Sequence, residues 1–154
     1  MVTERATRAA KHSQQLDDQL CFAVYSTMLG LNKVYRRLLK EFGLTYPQYL
    51  VMLVLWERDD VPVSAVCERL FLDTATVTPL LKRLESDGLL SRQRSKVDER
   101  QVLIRLTAAG KALRERAAEL PGCVAAAMQR SGPQIAEMRD ALKSLRGSLF
   151  DSTA

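Results

Sequence analysis

Cys21 stands one helical turn before Tyr25, and two further tyrosines, Tyr35 and Tyr46, follow along the same part of the chain. A thiol among phenols is a set suited to redox chemistry, because phenolic hydroxyls that donate to sulfur favour the thiolate, the form that attacks a peroxide. Asp17 and Asp18, about one turn away on the other side, oppose that charge. Tyr35 lies fourteen residues beyond Cys21, roughly 21 Å along a helix that rises about 1.5 Å per residue. One helix therefore cannot bring the two together, whereas two copies crossing antiparallel would set Tyr35 of one beside Cys21 of the other, with Tyr46 joining them. The cysteines, Cys21, Cys67 and Cys123, are odd in number and far apart, which fits neither a disulfide framework nor a paired-cysteine zinc site. Cys67 shares one side of a short helix with Val63, Val66 and Leu70 and reads as core packing.

Other catalytic signatures are missing. The sole histidine, His12, lies in a polar N-terminal stretch, and the chain has no CxxC, Gly-rich phosphate loop, serine elbow or metal cluster. The expectation is a protein that is not an enzyme and needs no cofactor. Its longest uninterrupted apolar run, Tyr49 to Trp56, falls short of the roughly 18 to 20 residues of a membrane span. The opening "MVTERATRAAKHSQQ" lacks the apolar core of a signal peptide. Both features predict a cytoplasmic protein with reduced thiols and no membrane partner. At 154 residues the chain suits one domain with a real core, and its net charge of +5 agrees with a polyanionic partner without requiring one.

The elements that must position these residues are mostly helices. Apolar residues at Leu16, Leu20, Val24, Met28, Leu31, Tyr35, Leu38 and Phe42 predict one long helix from Ser13 to Phe42. Such a helix outruns the core of a small domain, so part of its stripe is expected to meet another subunit. Gly43 ends it, and Thr45 with Pro47 starts a buried second helix. A short helix in "VPVSAVCERL" precedes a longer one from Thr74 to Asp87, capped by Asp73 and closed by Gly88. "LLSRQRS" and "QVLIRLT", joined by the turn "KVDER", alternate as a β-hairpin. Thr107 caps the next helix, Pro121 predicts a break just ahead of Cys123, and a last helix from near Pro133 carries Ile135, Met138, Leu142, Leu145 and Leu149 on one face.

Two short helices, a tight turn and a basic hairpin point to nucleic acid. The second of these helices presents Thr74, Ala75, Thr76 and Thr78 in its first turns, small side chains that let a backbone approach a groove floor, with Lys82 and Arg83 following. Between Lys82 and Arg105 there are seven basic and four acidic residues. The hairpin contributes Arg92, Arg94, Lys96 and Arg100, which by themselves would suit a merely solvated surface.

The stretch from Val61 to Gly110, with "LDTATVTPLLKRLESDGLLSR" and then "DERQVLIRLTAAG", resembles the winged helix-turn-helix of MarR-type transcriptional regulators. The resemblance implies a mainly α fold, with a two-stranded β-hairpin wing and a helical dimerisation body. It implies a single MarR-type domain over residues 1–154, the body formed by 12–45 and 107–150 and the DNA-binding lobe by 46–106. The implied partner is double-stranded operator DNA, bound by a homodimer. Thr74, Ala75, Thr76, Thr78, Pro79, Lys82 and Arg83 would face the major groove. Arg92 and Arg94 belong to the wing, whose tip arginine, Arg100, would reach the minor groove with Asp98 holding it. The constellation of Cys21 with Tyr25, Tyr35 and Tyr46 resembles the sensing site of the OhrR-type, organic-hydroperoxide branch of that family. In that branch some members carry a second cysteine that resolves the oxidised sensor, and Cys123 stands in the corresponding region. Phe71 replaces a tyrosine often found before the Leu-Asp pair. The implied function is a repressor that binds DNA when reduced and is released when organic hydroperoxide, the inducer, oxidises Cys21. Two other readings stay open: a MarR-type regulator responding to a small aromatic ligand, with Cys21 incidental, and a thiol peroxidase.

Overall fold

The computed structural model describes residues 13–154; His12 and the polar stretch around it lie outside the described residues. The chain divides into two compact units, Met1–Lys33 and Val34–Ala154, and the first long helix, α1 (Leu20–Leu39), contains the boundary.

In the first unit the expected helix from Ser13 is shorter than its apolar periodicity suggests. A single 3₁₀ turn covers Leu16–Asp18, and Gln19 is extended at ψ 115°. The Gln19 side-chain amide donates back to the carbonyls of Ser13 at 2.6 Å and Gln15 at 3.0 Å, closing that turn before α1 begins. Periodicity is blind to such a local bond, which competes with the helical ladder. Leu16, Leu20, Val24, Tyr25, Met28 and Leu29 are all exposed on this unit.

The second unit opens with the end of α1. A second 3₁₀ turn, Lys40–Phe42, and left-handed Gly43 at φ 65° finish it, with the Leu44 N–H bonding the Leu39 carbonyl, as a glycine C-cap should. The next helix, α2 (Tyr46–Glu57), starts with a reciprocal cap between Thr45 and Gln48. Its Tyr49, Val51, Met52, Val54 and Leu55 are buried. After it come strand β1 (Val61–Pro62), helix α3 (Val63–Leu70) and helix α4 (Thr74–Ser86). Asp73 caps α4 by accepting from the Thr76 N–H at 2.7 Å. Strands β2 (Leu90–Arg94) and β3 (Val102–Leu106) pair antiparallel, Leu90 opposite Leu106.

The wing is larger than the expected two-stranded hairpin. The order is β1-β3-β2, because Val61 and Pro62 pair with Ile104 and Leu103. Pro62 is acceptable there because an edge strand does not need every N–H. Val66, Val77, Leu81, Leu84, Leu90 and Ile104 form the floor of the unit, each almost fully buried with Val51, Met52 and Leu55; removing each such side chain from water contributes about 1.5 to 3 kcal/mol.

Helix α5 (Ala108–Arg116) is capped by Thr107, whose hydroxyl accepts from the Gly110 N–H and donates to the Gly88 carbonyl. Gly110 has no alternative, since a Cβ there would collide with the Leu89 carbonyl oxygen. The Gly110 carbonyl accepts from the Trp56 indole at 2.9 Å, which ties α2 to the start of α5. The break before Cys123 falls where Pro121 requires it, because helix α6 (Leu120–Met128) holds Pro121 in its first turn. The last helix, α7 (Gly132–Asp151), is capped reciprocally by Ser131 and Gln134 and leaves Met138, Leu142 and Leu149 exposed. Among the described residues no helix is long and apolar enough to cross a membrane.

Candidate nucleic-acid interface and redox site

The exposed side of α4 carries Thr74, Ala75, Thr76, Pro79, Lys82 and Arg83, while Val77, Leu81 and Leu84 hold its other side in the core. Thr78 is half-buried. The Asp73 carboxyl is kept below the ordinary carboxylate range by hydrogen bonds from Thr76, its side chain first and its backbone second. The start of α4 is thus fixed at Thr76 before any ligand arrives. Pro79, inside the helix, supplies no N–H to the Ala75 carbonyl four residues back, leaving an acceptor on the exposed face. Arg83 is braced by Asp87 at 3.2 Å, one turn along.

The wing divides its arginines by role. Arg92 is half-buried and bonded to Glu85 twice, from its backbone N–H at 3.0 Å and its Nε at 2.8 Å. Those bonds hold the Glu85 carboxyl below its usual range. Arg92 is therefore a strut between α4 and β2, a role that its place in the hairpin did not reveal. Arg94 and Lys96 are exposed. At the tip, Asp98 Oδ1 accepts from the Arg100 N–H at 3.1 Å and from its Nε at 3.3 Å, while the Arg100 side chain stays 92% exposed. Sequence reasoning missed Ser95. It is buried, and its hydroxyl accepts from the Val97 and Asp98 N–H groups at 3.2 Å each; the Gln101 N–H closes the loop on the Asp98 carbonyl at 2.9 Å. A serine two and three residues before the groups it caps was the available signal. Asp60 and Asp59 were missed as well. Asp60 holds Arg105 through two bonds, at 2.9 and 3.3 Å, and Asp59 accepts from the Leu106 N–H at 2.8 Å, together pinning β3 at its outer corner.

The phenols behave differently from the thiols. Tyr35 and Tyr46 are brought together, their rings stacked with centroids 4.1 Å apart, and Tyr49 stands 6.0 Å from Tyr35. Burial pushes the Tyr35 phenol above its ordinary value, and the adjoining Tyr46 and Tyr49 add to that. Burial also raises Tyr46, against the hydrogen bond from Tyr35. All three hydroxyls therefore stay protonated donors at neutral pH. Cys21 and Tyr25, four residues apart on the first unit, are exposed. Cys123 is exposed on α6, at a cavity of about 70 Å³ that Leu38, Phe42, Leu120 and Arg116 also line. Cys67 packs against the core, with its Sγ 3.9 Å from the Thr74 hydroxyl.

A second cavity, about 170 Å³, lies between Tyr49, Leu53, Trp56, Arg114 and Pro121. Both cavities are smaller than the roughly 300 Å³ and above of pockets that enclose a drug-sized organic ligand. Among the described residues no cluster of side chains has the makings of a metal site.

The family model described as transcriptional regulator SarA/Rot matches residues 33–116. The chain is similar to the organic hydroperoxide resistance transcriptional regulator of Bacillus subtilis (strain 168), 42% identical over 135 residues that span 88% of this chain and 92% of that one. Among solved structures it resembles reduced AbfR of Staphylococcus epidermidis bound to DNA, with a TM-score of 0.80 and 33% identity across 90% of this chain and 95% of that one. Against disulfide-formed AbfR the TM-score is 0.62, with 34% identity across 88% and 90%.

Proposed function

Since this chain belongs to the SarA/Rot family of transcriptional regulators, within the MarR-type winged-helix class, we propose that it acts as a homodimer whose hold on operator DNA is set by the oxidation state of Cys21. The protein is a redox-sensing, DNA-binding repressor, and its residues divide that task. Residues 46–106 form the DNA-binding lobe, and 12–45 with 107–150 form the dimerisation body. Helix α4 lies in the major groove, Thr74, Ala75, Thr76, Thr78 and Pro79 against the base edges and Lys82 and Arg83 against phosphates. Arg100 reaches the minor groove, where a guanidinium meets the strongest negative potential, and Asp98 braces it. The observation that carries the reading is the wing tip, a cation almost wholly in solvent yet fixed at its base by Ser95 and Asp98.

Sensing begins when the Cys21 thiolate attacks the terminal oxygen of an organic hydroperoxide. The O–O bond breaks, an alcohol leaves, and the sulfur becomes sulfenic acid. The Cys123 thiol of the partner subunit then attacks that sulfur, an S–S bond forms and water departs. A disulfide needs Cα atoms within about 4.4 to 6.8 Å, so forming two across the dimer draws helices together and changes the spacing of the two copies of α4. Tyr25, Tyr35 and Tyr46 supply the hydroxyls that steady the sulfur anion beforehand. The setting is the cytoplasm, where thiols rest reduced, and the protein is a regulator and not an enzyme.

The test combines a non-reducing gel with DNA binding. Wild-type protein treated with cumene hydroperoxide should run as a covalent dimer and leave DNA, and dithiothreitol should reverse both. Cys21→Ser should stay on DNA throughout, Cys123→Ser should react once and stall as sulfenic acid, and Cys67→Ser should match wild type. Release of Cys21→Ser by peroxide as readily as wild type would end the sensor assignment; release of a wild type that stays monomeric on the gel would end only the intersubunit pairing.

A further inference from the structure

Phe71 occupies a position that favours glycine. It is the C-cap of α3, left-handed at φ 56° and ψ 36°, and its N–H closes on the carbonyls of Cys67 and Glu68. A bulky residue in that region carries backbone strain. Burial does not offset it, because the ring is half exposed. What the ring touches lies on the last helix: the Arg146 guanidinium sits 4.2 Å from its centroid and the Phe150 ring 5.3 Å away at 40°. Both belong to the final turns of α7, a helix whose Met138, Leu142 and Leu149 are exposed. Two residues after Phe71 stands Asp73, the cap of α4.

We propose that Phe71, Arg146 and Phe150 are positioning residues for operator binding: the C-terminal end of α7 clamps the turn between α3 and α4 and thereby sets where α4 starts. The inference rests on the reading that α4 enters the major groove, and it adds a second anchor for that helix, remote from any DNA contact. A glycine at this strained position, though easier on the backbone, would offer α7 nothing to hold. Since half-sites on DNA are spaced by the helical repeat, an anchor at the start of α4 should be felt in which spacing the dimer accepts.

The probe is a duplex enriched by reduced wild-type protein from a randomised pool, with derivatives that add or remove one base pair at the centre of the bound site. Phe71→Gly removes the ring while relieving the backbone, so its thermal midpoint should not fall. Its affinity for the parent duplex should drop about three- to tenfold, the scale of one aromatic pair with one cation–π contact, and its discrimination against altered spacings should shrink. Phe150→Ala should do the same from the other side, the double variant should be no worse than the weaker single, and Phe71→Tyr should restore both readouts. Arg146→Gln should lose affinity with an unchanged salt slope, since the guanidinium engages a ring and not a phosphate.

Wild-type affinity and spacing preference in Phe150→Ala would overturn the proposal, as would losses that simply add in the double variant, or an equal loss on every spacing with a lowered thermal midpoint. Phe150→Ala decides alone if Phe71→Gly does not fold. A changed base preference in Thr76→Ala beside unaltered spacing in the Phe71 set would keep α4 in the groove and discard the clamp. Unchanged base preference in every variant of the exposed face of α4 would remove the reading beneath it.

Discussion

The region of α4 and the wing, proposed to read DNA, and the first unit, which carries Cys21, are built on opposite principles. Around α4 and the wing, the polar side chains that matter find partners within the chain: Asp73 with Thr76, Glu85 with Arg92, Ser95 and Asp98 with the tip backbone, Asp60 with Arg105. The apolar side of α4 is buried against α2 and the sheet. The first unit keeps Leu20, Val24, Tyr25, Met28 and Leu29 in solvent beside an exposed Cys21. An apolar stripe of that size on a helix is a surface made for another protein surface. The region around α4 is packed within one copy, whereas the first unit leaves its apolar stripe uncovered, and that difference is what the homodimer proposal would explain.

The largest expected effect tests the difference directly. Leu81→Ala, in the floor beneath α4, should cost about 2 to 5 kcal/mol and lower the urea midpoint, while Val24→Ser should leave the stability of the isolated chain nearly unchanged and shift the sedimentation profile toward monomer. Equal loss of stability from both would erase the contrast. Next, Arg100→Ala should weaken operator binding by about 1 to 3 kcal/mol with the fold intact; unchanged affinity at moderate salt would remove Arg100 from the groove.

The wing arginines sharpen the comparison further. Arg94→Ala should reduce the salt slope of DNA binding by about 1, whereas Arg92→Ala should leave that slope alone and cost at most about 1 kcal/mol of stability, as expected for a partly solvated ion pair. A reversed pattern would make Arg92 the phosphate contact and Arg94 the strut.

The smallest effect is in acid. Asp73 and Glu85 titrate below their ordinary range when folded, so the stability they add is present above the unfolded carboxylate values and is lost as pH falls through the lowered folded ones. Asp73→Asn keeps a capping side chain but cannot titrate. It should flatten the decline of the urea midpoint between about pH 5 and pH 2, and an identical acid limb in wild type and variant would dismiss the Asp73 contribution.

What the sequence disclosed was whatever is local. Thr45, Asp73 and Thr107 as caps, Gly43 and Gly88 as stops, and Pro121 as a break depend on neighbours within a few residues, and each took the role expected. What it concealed depends on distant partners. β1 is two residues long and is a strand only because Ile104 and Leu103 lie alongside it. Arg92 looked like its basic neighbours until Glu85 turned up across the corner from α4 to β2. The late start of α1 was hidden because Leu16 and Leu20 keep helical spacing while Gln19 between them is extended. In the candidate site, the sequence put Tyr46 among the phenols, but not its stack against Tyr35 within the same chain.

The closed loop at the wing tip also bears on kinetics. With Ser95, Asp98 and Gln101 already bonded around it, the base of Arg100 has no ordering step to complete when DNA arrives. Encounter is then governed by diffusion and the positive field of the surface, much the same for any duplex. Correct and incorrect sequences should differ mainly in dissociation rate, so the lifetime of the complex, more than the speed of its formation, is where the operator is distinguished.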